Sequence, residues 1–202
     1  MYIKNINFNE KKNLFIVTLD DNTKFNISYE LYEKLNLAPN HDINEKEYNL
    51  LDEEDNYQCC KYIAENFINY KMRTEFEIHR KLTQSTKNSA SINKVIQYYK
   101  KLDLINDERY AEEYIKQNIT YRYLSKKMIE FKLKEKGIDS KISKKYLNEY
   151  DNEIEYKNAL NVFNKKYKNE DLSDYKIKQK YFRFLSSKRF DFSIINRILK
   201  DE

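Results

Sequence analysis

Catalysis by side chains needs a nucleophile, a proton carrier or a metal-binding set, and this chain offers few such groups at useful spacing. His41 and His79, its two histidines, are far apart in unlike settings and fit no metal-ligand or triad pattern. Cys59 and Cys60, the only cysteines, are adjacent; neighbouring cysteines rarely bridge, and without matching histidines they make a poor zinc site. Both are expected to face a core, on one helical stripe with Ile63, Ala64, Phe67 and Ile68. A lone glycine, Gly137, excludes a glycine-rich phosphate loop. Carboxylates are plentiful but form no paired motif. Neither enzyme activity nor a metal or other cofactor is expected.

What remains is charge, and it is unevenly placed. Residues 1–56 carry 6 Lys/Arg against 12 Asp/Glu, a net of −6, whereas residues 57–202 carry 32 against 21, a net of +11. Residues 116–147 alone hold ten cations against Glu130, Glu135 and Asp139, a net of +7. Such a segment suits phosphate or an acidic protein groove, and contacts of this kind weaken steeply with salt. Candidate contacts are Arg73, Arg80, Arg122, Arg183 and Arg189, because arginine is scarce here and binds phosphate bidentately. The candidate lysines are Lys126, Lys127, Lys132, Lys134, Lys144 and Lys145. Tyr121 and Tyr123 flank Arg122, an arrangement that suits base stacking beside a backbone contact. The competing reading is plain: lysine-rich helix faces are mostly solvated, and tyrosines at helical spacing, such as Tyr110 and Tyr114, are mostly core.

The elements that must carry these residues are nearly all helical. Tyr2–Phe8, Leu14–Leu19 and Lys24–Ile27 alternate apolar and polar residues, which predicts a small antiparallel meander. Ser28 is placed to cap a short helix through Leu35, and Asn44 with Glu47 to cap another. The acidic run Asp52–Asp55 reads as the exposed end of that helix or as a hinge, or more simply, and in preference, as a solvated helix surface. From Tyr57 onward one helix follows another. Thr74 and Glu77 form a capping box, Ser91 is expected to open a third helix, and Asp107 to cap a fourth. Gly137 supplies a left-handed C-cap.

The pattern repeats. Tyr110, Ala111, Tyr114 and Ile115 match Cys59, Cys60, Ile63 and Ala64 at an offset of 51, and Leu124–Leu133 matches Arg73–Leu82 likewise. Lys188-Arg189-Phe190-Asp191 echoes Lys136-Gly137-Ile138-Asp139 at an offset of 52, with Arg189 where the second round has glycine. The expected fold is mainly α: three tandem three-helix repeats over residues 57–106, 107–150 and 151–202. An acidic β-meander and helix extension, residues 1–56, precedes them. No apolar run is long enough to span a membrane, and the N-terminus lacks signal-peptide character, so a cytoplasmic address is expected.

Leu104-Ile105-Asn106-Asp107-Glu108-Arg109-Tyr110-Ala111, followed by Tyr114-Ile115, then Ile129, Leu133 and Lys136-Gly137-Ile138, resembles the RecX family of regulatory proteins. The Arg-Thr-Glu…Lys-Leu pattern of residues 73–82 and the β-rich front extend the resemblance over nearly the whole chain. It implies a bent, elongated array of three-helix repeats lying in the groove of a RecA recombinase filament on single-stranded DNA. There it bridges protomers, slows ATP turnover and strand exchange, and promotes filament loss, in recombination, DNA repair and the SOS response. The implied partners are the RecA filament and single-stranded DNA, with duplex DNA weaker, and a monomer is expected. Two departures stand out. Tyr121-Arg122-Tyr123-Leu124-Ser125 replaces a stretch in which the family commonly has a glycine, which bears on that turn's geometry. Asn106-Asp107 stands where paired aspartates are common. Two other classes fit the bare residues: a helix-turn-helix DNA-binding regulator, and a helical-repeat scaffold unrelated to DNA.

Overall fold

The computed structural model describes residues 1–167 and 175–201. The chain divides into two compact units, Met1–Ile105 and Asn106–Glu202.

The first unit opens with three antiparallel strands in the order β1 (Ile3–Asn9), β2 (Leu14–Leu19) and β3 (Lys24–Ile27). Alternation places Ile3, Val17, Leu19, Phe25 and Ile27 on one face, where they bury against Leu37, Ile43 and Leu51. Helix α1 (Tyr29–Leu35) is capped by Ser28, whose hydroxyl accepts the Leu31 N–H. Asn36 ends it in the left-handed conformation (φ 47°) that asparagine tolerates.

Helix α2 (Glu45–Tyr70) is the longest element. Asn44 and Glu47 form a reciprocal capping box: the Asn44 side chain accepts the Glu47 N–H at 3.0 Å, and the Glu47 carboxylate accepts the Asn44 N–H at 3.1 Å. With neither glycine nor proline over 26 residues, nothing breaks the ladder. The acidic run therefore sits inside α2, as neither helix end nor hinge. Asp55 of that run accepts the backbone N–H and side-chain amide of Asn26, at 2.6 and 2.8 Å, and ties α2 to β3. The N-terminal half of α2 thus belongs to the sheet core. Its C-terminal half belongs to a second core with Ile78, Leu82, Ile92, Val95, Ile96 and Tyr99. The position 56/57, where net charge changes sign, falls within one continuous helix.

Helices α3 (Glu75–Thr83) and α4 (Ser89–Lys101) complete that three-helix unit. Thr74 and Glu77 form the anticipated box. Helix α4 begins earlier than expected, because the Asn88 side chain accepts the Ser91 N–H at 3.0 Å and Ser91 itself is buried. Cys60 is buried, and Cys59 is exposed rather than core-facing. Successive helical residues diverge by about 100°, so a stripe already occupied by Cys60 and Ala64 leaves its neighbour outside.

In the second unit, α5 (Asp107–Thr120), α6 (Lys126–Glu135) and α7 (Ser140–Leu147) surround Ala111, Ile115, Ile129, Leu133 and Ile138. Asn106, not Asp107, is the N-cap; its side chain accepts the Arg109 N–H at 2.9 Å and Asp107 becomes the first helical residue. Tyr110 and Tyr114 are half-buried and stacked, centroids 5.9 Å apart. Helices α8 (Asn152–Tyr167), α9 (Tyr175–Ser187) and α10 (Phe192–Asp201) enclose an aromatic-rich core with Phe163, Tyr167, Tyr181 and Phe190.

The repeat is visible atom by atom. After α6, the Gly137 N–H bonds to Lys134 O and the Ile138 N–H to Leu133 O, each at 3.0 Å. After α9, the Arg189 N–H bonds to Ser186 O at 2.9 Å and the Phe190 N–H to Leu185 O at 3.3 Å, the same turn 52 residues on. Gly137 sits at φ 78° and Arg189 at φ 62°, so arginine holds a conformation that glycine adopts without cost.

Candidate nucleic-acid interface

The sequence-predicted cations do not form one surface patch of equal members. Arg73 is half-buried at the α2–α3 corner, its Nε donating to Phe67 O at 3.3 Å and its guanidinium 3.7 Å from the Phe67 ring centroid. It is a joint. Arg80 is exposed, 5.8 Å from the Phe76 ring one turn back.

Lys126 is half-buried: its ammonium donates to Tyr150 O, and its backbone N–H donates to Glu155 Oε1 at 3.3 Å. Lys127 pairs with Asp191. Lys145 pairs with Glu108 at 3.0 Å, and Arg189 lies 4.1 Å from the Phe131 centroid. Lys126, Lys127 and Arg189 therefore knit the second three-helix set to the third. Reversing Lys126 and Lys127 would disturb that joint and is no clean surface probe. Among the described residues, the side chains of Arg122, Lys132, Lys134, Lys144 and Arg183 enter no hydrogen bond or ion pair.

The joint is dense in buried polar groups. Ser125 caps α6 by accepting the Met128 N–H at 3.2 Å and donates its own hydrogen to Lys188 O at 2.7 Å. The Asn158 amide donates to Ile119 O at 3.0 Å. Glu155, 3% exposed, brings a carboxylate to the same helix start. Burial raises its pKa above the ordinary 4.5, against the opposing pull of the Lys126 N–H and the Lys126 and Lys127 charges. A raised folded pKa favours the protonated acid, so its contribution to stability is full below 4.5 and is lost as pH climbs through the folded value. Glu155→Gln keeps an acceptor for Lys126 and removes the buried charge. We expect it to shift the urea midpoint upward at pH 7.5, with the gain vanishing near pH 4.

Beside this joint lies an open cleft of about 480 Å³. One wall is the α5–α6 turn, Tyr121 to Ser125, with Met128; the other is Val162, Lys165 and Lys166 of α8, Phe184 of α9, and Lys188 and Phe190 of the following turn. Among the described residues, no carboxylate lines it. Lys166 Nζ and Lys188 Nζ face one ring, 4.2 and 5.8 Å from the Phe184 centroid. Tyr121 is 76% exposed. Tyr123 adopts φ 54°, fixed by the Leu124 N–H bonding to Asn118 O at 3.1 Å. It occupies a left-handed position within the Tyr121–Ser125 stretch, which lacks the glycine that the family resemblance led us to expect there. A bulky residue there costs roughly 1–2 kcal/mol. Among the described residues, Tyr123 and Arg189 alone hold a positive φ without being Asn, Asp or Gly, and both belong to turns that border this cleft.

Sequence reasoning found the Tyr121-Arg122-Tyr123 wall. It missed Lys165, Lys166, Phe184 and Lys188, about 40 to 65 residues away, which nothing in local periodicity links to it. Among the described residues, no group of three or more His, Cys, Asp or Glu is placed to hold a metal, and no helix is long and apolar enough to cross a membrane.

A β-meander head followed by tandem three-helix sets, with a basic and aromatic cleft between two of them, defines a helical-repeat protein. Residues 106–147 match the second three-helix domain of RecX and residues 153–199 the third. The regulatory protein RecX of Finegoldia magna is 33% identical over 98% of both chains. That of Clostridium beijerinckii is 34% identical over 95% of this chain and 89% of its own. A crystal structure of a regulatory protein RecX shares the fold over 100% of this chain and 99% of its own, with TM-score 0.75 at 22% identity. RecX from Lactobacillus salivarius superposes with TM-score 0.63 and 26% identity, over 73% of this chain and 96% of its own. The chain belongs to the RecX family of regulatory proteins.

Proposed function

We propose that this protein regulates the RecA recombinase, mostly as an inhibitor, by binding the groove of its filament on single-stranded DNA. It acts there as a monomer in the cytoplasm, bridging neighbouring protomers, slowing ATP hydrolysis and strand exchange, and shortening the filament's life. Membership of the RecX family carries this reading. The cleft supports it, because a filament groove presents both phosphate and protein, and a surface of cations and aromatic rings serves both. Three three-helix repeats over residues 57–106, 107–150 and 151–202 are the contact units in this reading.

The test is single-strand-DNA-dependent ATP hydrolysis by the cognate recombinase, titrated with this protein. The expected result is loss of turnover at substoichiometric amounts, with little effect from matching amounts of an unrelated basic protein. Unchanged turnover and unchanged filament length would sink the proposal.

A further inference from the structure

We propose that the cleft between the second and third three-helix sets holds one nucleotide of single-stranded DNA, its base against the tyrosine wall and its phosphates on Lys165, Lys166 and Lys188. This deepens, and rests on, the reading that the protein works at single-stranded DNA. Three observations carry it.

The first is charge. Lys166 and Lys188 converge over the Phe184 ring, Lys165 and Arg122 stand nearby, and among the described residues the lining holds no acid. Like charges gathered without a counter-charge repel one another, and an anion relieves the repulsion. The second is shape. A cleft of about 480 Å³ lies within the range of small-ligand sites, roughly 300–1,000 Å³, and the aromatic residues Tyr121, Tyr123, Phe184 and Phe190 line it. Phosphate alone has no use for those faces, whereas a base does: stacking on an aromatic side chain is worth roughly five- to a hundredfold in affinity. The third is strain. Tyr123 occupies a left-handed position that glycine would fill more comfortably, and backbone strain of this kind clusters at functional sites. An acidic peptide would satisfy the charge but not the tyrosine wall.

The test compares a fluorescein-labelled oligothymidylate of about sixteen nucleotides with an abasic phosphodiester of equal length and charge, by anisotropy, using the full chain. Wild type is expected to favour the oligothymidylate by about fivefold or more. Tyr123→Gly is expected to raise the melting temperature, abolish that preference and leave abasic binding within about twofold. This combination separates a ligand contact from a structural role, which would move stability and binding together. Lys166→Gln with Lys188→Gln, both exposed, is expected to weaken the two probes equally.

Equal binding of both probes by wild type overturns the proposal, as does an undiminished preference in Tyr123→Gly. A polyglutamate peptide that displaces the oligonucleotide at matched charge would assign the cleft to an acidic protein segment instead. Tighter binding of oligouridylate than of oligothymidylate would assign it to RNA. Recombinase ATPase measured on the same samples keeps the two readings apart. Base preference without inhibition overturns the filament role alone, and inhibition without base preference overturns the nucleotide site alone.

Discussion

Replacing Tyr181 with alanine is expected to cost the third three-helix set about 3–5 kcal/mol, enough to unfold α8–α10 under mild conditions. Tyr181 is fully buried on α9 and fills the space between that helix and α8. Its ring meets Phe163 edge-on at 5.1 Å and Tyr167 at 4.3 Å. Each such pair adds about 0.5–1.5 kcal/mol beyond simple burial. Neither neighbour can collapse into the vacancy without leaving the other, so relaxation is poor and the cavity cost stays high. Urea denaturation followed by circular dichroism measures the loss. Hydrogen exchange locates it: amides of α8–α10 should lose protection while those of α2–α4 keep theirs. Tyr181→Phe retains the ring and is expected to cost only about 1 kcal/mol, the hydroxyl's share.

The second large effect concerns salt. Each phosphate neutralised on single-stranded DNA contributes about 0.7 to the slope of log affinity against log salt. If Arg122, Lys165, Lys166 and Lys188 together neutralise the two phosphates that flank one nucleotide, they account for a slope of about 1.4 and a roughly sevenfold weakening between 50 and 200 mM salt. Changing all four to glutamine should flatten the salt dependence by that amount. Changing Lys132, Lys134 and Lys144 to glutamine serves as the comparison, since these cations lie on α6 and α7 outside the cleft lining. A slope that responds to this second set, and not to the first, would move the phosphate path onto the α6–α7 surface.

Much of the fold was legible from local signals. The strands followed from alternation at Ile3, Val17, Leu19, Phe25 and Ile27, and the helix starts at Glu45 and Glu75 from capping boxes. The errors were also local in kind. Asn88 and Asn106 cap where Ser91 and Asp107 were expected to begin the helices, because Asn, Asp and Ser are all good caps and only backbone geometry chooses among them. The charge run at Asp52–Asp55 left a helix end or hinge open beside the preferred reading of a solvated helix surface; it lies within the uninterrupted α2, and Asp55 is satisfied by Asn26.

The site was legible only by half. Arg122 and its tyrosines stood out because arginine is scarce and the three residues are contiguous. That Lys126 is tied to Tyr150 and Lys127 to Asp191 depends on α6 meeting connecting segments 24 and 64 residues along the chain, and no periodicity encodes it. The strain at Tyr123 had a faint signal in the missing glycine. Arg189, in the place of Gly137, had a clearer one.

Helix α2 also constrains how the chain is made. Its first half docks on a sheet that precedes it in sequence, so that core can close once Tyr70 has been synthesised. Its second half must wait for α4, which ends at Lys101. At bacterial translation speeds that interval is about two to six seconds. Throughout it, Cys60 and Ala64 project from a rod anchored at one end and bare at the other. A pause in translation between those points would present a half-dressed helix to any chaperone at hand.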